Sequence, residues 1–163
     1  MTAPSLDQGA SRLLLQHRRA TQLDAAAELI EPRSEPMAAL PLLGRVSAGQ
    51  PLEAIEDPDW INVPERLIQR AQFALRVRGD SMTEDQIEDG DLILIAPQAS
   101  AANGEIVVAL IDGEQATLKR LYREPHHIRL QPAHAEMPPL RVPAEAVHLL
   151  GVVTAVLREL ATD

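Results

Sequence analysis

The sequence predicts a predominantly β, barrel-like domain over roughly residues 42–160, preceded by a short helical appendage. Two observations carry this. From Leu42 onward, short segments of alternating or wholly apolar character replace helical periodicity. Between them fall turn pairs, Asp89-Gly90, Asn103-Gly104 and Asp112-Gly113, whose chemistry suits the positive φ of tight turns. A chain of 163 residues can bury one full-sized core, so one domain with an appendage is expected rather than two equal domains.

Residues 11–31 set Leu13, Leu14, Leu23, Ala26, Ala27 and Ile30 among charged side chains, the pattern of an amphipathic helix with Ser11 as its N-cap. Glu31-Pro32 ends it, and the three prolines of PRSEPMAALP read as an extended linker up to about residue 41. The expected division is therefore an appendage, 1–40, and a domain, 41–163. Within the domain, strands are predicted at 73–78, 91–96, 105–111, 115–121, 127–130 and 147–157. Asp112-Gly113 between two of them is a hairpin signal.

Composition excludes several chemistries. There is no cysteine, hence no disulfide, thiolate nucleophile or cysteine zinc site, and the reading calls for no cofactor and no metal. No stretch reaches the length of a spanning helix, and the N-terminus lacks the basic start and apolar run of a signal peptide, so a cytoplasmic protein without a membrane partner is expected. The net charge of -9 opposes non-specific binding to nucleic acid by the chain as a whole. With three aromatics, the core must be aliphatic.

Of the 15 basic residues, 14 are arginine and one, Lys119, is lysine. An amine can lose its proton when desolvated, whereas a guanidinium cannot, so a lone lysine has the properties a general base requires. In a strand, Thr117 and Lys119 share one face and Leu118 and Arg120 the other, which directs one of the two cations inward. A half-exposed lysine on a barrel rim fits the same pattern.

Ser81, in RVRGDSMTED, follows a predicted strand, with Gly79 permitting a sharp exit and Thr83-Glu84-Asp85 resembling a first helical turn. Such a corner exposes a nucleophilic hydroxyl and frees backbone N–H groups for an oxyanion, although a serine after Gly-Asp also suits a plain turn or cap. In LPLLGRVSAGQP, residues 40–51, an apolar run meets Ser47, Ala48 and Gly49. These small residues leave a carbonyl open to attack, and the segment equally suits a surface turn.

Taken in order, LPLLGRVSAGQPL, RVRGDSM, DGDLILI, NGEIVVALIDGE and TLKRL resemble the LexA and UmuD group of self-cleaving serine–lysine peptidases, over about residues 40–158. The resemblance implies a strongly bent β-barrel-like domain of the LexA and signal-peptidase type. It implies Ser81 as nucleophile, Lys119 as general base, Ala48-Gly49 as the bond cleaved in cis, and Gly79, Asp80 and Met82 as oxyanion and turn support. It further implies a regulator of the SOS response to DNA damage, a RecA filament on single-stranded DNA that promotes cleavage, and a homodimer. For the dimer, the apolar strand at 147–157 is the candidate for edge pairing. The run at 40–51 is closer to LexA than to UmuD. Only about 40 residues precede that run, with four basic and five acidic side chains, which is no electrostatic footprint for DNA. Operator binding is therefore not expected. The alternatives are a UmuD-like subunit of a translesion polymerase and a truncated repressor serving as a dimerisation module.

Overall fold

The computed structural model describes residues 35–48 and 50–160. The helix expected at 11–31 lies outside them, as does Gly49 of the Ala48-Gly49 bond. The strands are β1 (Met37–Ser47), β2 (Gln50–Pro51), β3 (Glu53–Pro64), β4 (Phe73–Arg78), β5 (Leu92–Ala96), β6 (Ile106–Ile111), β7 (Gln115–Arg123), β8 (Ile128–Gln131), β9 (Leu140–Val142) and β10 (Val147–Leu157). One helical turn, α1 (Glu65–Ile68), follows β3. Among the described residues, no helix is long and apolar enough to cross a membrane.

All strands belong to one sheet in the order β3-β1-β4-β5-β10-β6-β7-β8-β9, with β2 attached to β7. The fold is mainly β as expected, but the sheet is not a closed barrel: its path ends at β3 and β9, which do not pair with each other. Its curvature shows in the run from β1 into β2. β1 lies parallel to β4, with Val46 opposite Val77 and Ser47 opposite Arg78. Two residues past the turn, Gln50 lies antiparallel to β7, opposite Ala116. One continuous segment thus spans the gap between β4 and β7.

The core is aliphatic throughout. β5, LILIA, is buried at every position because it is central, flanked by β4 and β10, and has no polar face to present. Leu75, Ile93, Ile95 and Val108 pack with Val46, Val77, Met82 and Leu118 in one cluster. Leu40, Leu42, Val63 and Leu94 form another.

β3 was not predicted. Its acids Glu53, Glu56, Asp57 and Asp59 and its prolines Pro58 and Pro64 read as loop, yet such residues are tolerated on an edge strand, where only one side needs a ladder. Its pairing with β1 also carries strand structure back to Met37, into the stretch read as linker.

β10 is not a simple edge strand. Residues 147–152 pair with β6 and 152–157 with β5, so the strand joins two half-sheets. Gly151 sits at the bulge where it changes partner: a Cβ there would stand 2.5 Å from the Ala96 carbonyl oxygen. Beyond Val152, the edge on the β6 side has no partner among the described residues.

Candidate active site

β4 ends at Arg78, and Gly79 takes φ of 90°, a left-handed conformation that lets the chain leave the sheet sharply. The Gly79 N–H donates to Asp89 Oδ1 at 2.8 Å, tying this exit to the Asp89-Gly90 turn. Ser81 follows. Met82, 1% exposed, plugs the next side chain into the core, and a short 3-10 turn spans Thr83–Asp85. The segment after β8 supports the loop from outside: the Ala133 N–H donates to the Ser81 carbonyl at 2.9 Å, and the Glu84 N–H to the Ala133 carbonyl at 2.8 Å.

Lys119 comes from β7 and is 8% exposed. Its Nζ donates to Ser81 Oγ at 2.9 Å and to the Leu118 carbonyl at 2.9 Å. Among the described residues no carboxylate pairs with it. Burial lowers its pKa from 10.5 to about 8, because the charged amine is deprived of water and receives no compensating anion. Near neutral pH a fraction of such amines is unprotonated, and one in contact with a hydroxyl can take its proton.

The amides of Asp80, Ser81 and Met82 have no acceptor among the described residues, while those of Thr83, Glu84 and Asp85 do. Three consecutive free N–H groups beside a hydroxyl are donors suited to a developing oxyanion. The Asp80 side chain turns outward, 67% exposed, with His134 Nε2 3.9 Å from its Oδ2. Its backbone, not its carboxylate, borders the site.

The segment 40–51 meets this region from both sides. Val46, 1% exposed, is buried with Val77, Met82 and Leu118, and Ser47 lies beside Arg78, where β4 ends before Ser81. Gln50 is three residues from Lys119 along the β7 register. Ala48 is exposed in the turn between them.

Two arginine–carboxylate forks around the loop were not anticipated. Arg120 holds Asp85, and Arg158 at the end of β10 holds Asp91. Asp91 is 1% exposed, and the Arg158 hydrogen bonds, assisted by the Glu88 N–H, keep its carboxyl below the ordinary 3.8 against the opposing effect of burial. No spacing rule links residues 35 or 67 positions apart.

Residues 41–154 match the family described as Peptidase S24-like. The chain is 48% identical to the LexA repressor of Koribacter versatilis over 122 residues, covering 75% of this chain and 58% of that protein. It is 46% identical to the LexA repressor of Syntrophobacter fumaroxidans over 120 residues, 73% of this chain and 58% of that one. With that of Bacillus cytotoxicus it shares 41% over 136 residues, 82% and 65% respectively. The chain therefore spans less than two thirds of these repressors' own length. The family match runs from within β1 through most of β10, the strands that build the Ser81 and Lys119 surroundings, and on it the chain belongs to the peptidase S24-like family.

Proposed function

We propose that this chain is a LexA-like regulator of the SOS response that switches itself by cleaving its own Ala48-Gly49 bond. The observation that carries the reading is the 2.9 Å contact between Ser81 Oγ and a buried lysine with no carboxylate partner among the described residues. Neutral Lys119 takes the Ser81 proton, Oγ attacks the Ala48 carbonyl carbon, and the free amides of Asp80, Ser81 and Met82 receive the oxyanion. Collapse expels the Gly49 amine, which takes the proton from Lys119, and leaves residues 1–48 as an ester on Ser81. Water then hydrolyses the ester. Because the substrate is tethered, its effective concentration is high, and control falls to whatever seats the turn at 48–49 or deprotonates the lysine.

The likeness to LexA repressors supports a RecA filament on single-stranded DNA as the agent that favours the seated state. It also supports a homodimer, for which the outer edge of β10 beyond Val152, unpaired among the described residues, offers a ladder. The reading carries with it the division into an appendage, 1–40, and a cytoplasmic peptidase domain, 41–163.

The test is fragment formation by mass spectrometry, with and without activated RecA filament. Wild type should yield fragments 1–48 and 49–163. Ser81→Ala should not, and neither should Lys119→Arg, which keeps the charge but cannot deprotonate. Normal cleavage by the arginine variant would overturn the base assignment.

A further inference from the structure

On β7 the outer edge is laddered at residues 115–116 by β2 and at 120–123 by β8. Between them, residues 117–119 have no strand partner on that side among the described residues, and here the Ser81 loop approaches. No β-ladder holds the loop to β7 at the point where the Ser81–Lys119 distance must be set. Beside the backbone bonds to Ala133, side chains make the direct tie to β7.

Arg120 Nε donates to Asp85 Oδ2 at 2.7 Å and Nη2 to Asp85 Oδ1 at 2.9 Å, a two-pronged fork whose planar geometry fixes direction as well as distance. The third prong, Nη1, donates to the Gly104 carbonyl, and Gly104 is itself tied to β7 by its N–H on the Leu121 carbonyl at 2.8 Å. The guanidinium is therefore held before it holds Asp85. Asp85 closes the tight turn that begins at Met82, its N–H donating to the Met82 carbonyl at 3.1 Å.

The loop thus meets two successive residues of one strand, Ser81 at Lys119 and Asp85 at Arg120, whose side chains leave opposite faces. Contact on both faces blocks sliding along the strand and rolling around it. We propose that Arg120 is a positioning residue for the Ser81–Lys119 pair, acting through Asp85. The proposal rests on the self-cleavage reading for its kinetic consequence, but its geometry can be tested separately.

The experiment uses the full chain as wild type, Arg120→Gln, Arg120→Lys and Asp85→Asn. Self-cleavage is followed from pH 6 to 11, with thermal unfolding recorded for each protein. Misplacement of a reacting group by about 1 Å costs up to about a hundredfold. Arg120→Gln and Asp85→Asn should therefore lower the alkaline plateau rate by about ten- to a hundredfold while leaving the pH midpoint where Lys119 sets it. Arg120→Lys, with a single charged nitrogen in place of a planar fork, should recover part of the loss. An unchanged plateau with a lowered unfolding temperature would show a merely structural ion pair, and a moved midpoint with an unchanged plateau would show an electrostatic effect on the lysine. Either overturns the proposal.

Because Lys119 is the sole lysine, 15N,13C-lysine labelling gives one side-chain signal for the whole protein. At pH 6 that signal should differ between wild type and Ser81→Ala, and in the Arg120→Gln background the difference should collapse. A difference that persists there overturns the proposal. If wild type fails to cleave at any pH, the self-cleavage reading falls, and this comparison still decides whether Arg120 sets the Ser81–Lys119 contact.

Discussion

Lys119→Met, made in a Ser81→Ala background to prevent self-cleavage, should raise the stability of the protein at neutral pH. Below the folded-state pKa of about 8 the amine is charged in both folded and unfolded chains, and only the folded chain deprives it of water. The drop from 10.5 to about 8 corresponds to about 3 kcal/mol of folding free energy. Methionine fills similar space without charge, and loss of the bond to the Leu118 carbonyl costs about 1 kcal/mol, leaving a net gain of about 2 kcal/mol at pH 7. The sign changes with pH in a defined window. The folded state releases its proton near pH 8 and the unfolded state near 10.5, so the lysine's penalty fades as pH rises between them and the advantage of methionine fades with it. Chemical denaturation of both proteins at pH 7, 9 and 10.5 measures this directly. A stability difference that stays constant across that range would refute the account of a lysine whose pKa is lowered by burial.

Three further outcomes follow from the same geometry. With a pKa of about 8, the neutral amine is about one tenth of the population at pH 7 and about nine tenths at pH 9, so wild-type self-cleavage without activator should rise about tenfold and then level off. Fragment formation against time at each pH checks it. Gly151→Ala should cost about 2 kcal/mol, lowering the melting temperature by about 4–8 °C, because its methyl would stand 2.5 Å from the Ala96 carbonyl oxygen and 2.6 Å from Ile95 Cγ2. Asp91→Asn should cost about 2 kcal/mol at pH 7 by weakening the Arg158 fork. Since the Asp91 carboxyl is held below 3.8, that cost is present above this value and shrinks as pH falls through it, which denaturation at pH 7 and pH 3 compares.

Much of the fold was legible because local pattern and burial agree. The strand 73–78 alternates, 91–96 is apolar after its leading Asp91, and 147–157 carries an apolar run; the structure places β4, β5 and β10 there, β5 starting one residue later. Asp112-Gly113 forms the expected turn, with φ of 52° and 74°. Illegible elements are those whose residues suit water and whose place is set by a partner. β3 is a strand only because β1 pairs with it, and its four acids could not reveal that. At the site, Ser81, Lys119 and the segment 40–51 were each ambiguous alone. Their approach depends on β4, β7 and the β1–β2 run converging across 38 and more residues, which only the resemblance could suggest. Asp85 and Arg120 were missed for the same reason, although Arg120 stands next to the one lysine.

The run from β1 into β2 gives a cut at residue 48 a particular outcome. β1 would remain laddered to β3 on one side and β4 on the other, with Leu40, Leu42 and Val46 still buried. At about 1.5–3 kcal/mol for each such side chain, the severed arm is retained by several kcal/mol with no covalent tie. Hydrolysis alone would produce a nicked complex, two polypeptides behaving as one folded body. Separation would wait on strand extraction, so peptide-bond scission and loss of the upstream fragment are distinct clocks. The second could be slowed or hastened by solvent conditions that leave the first untouched.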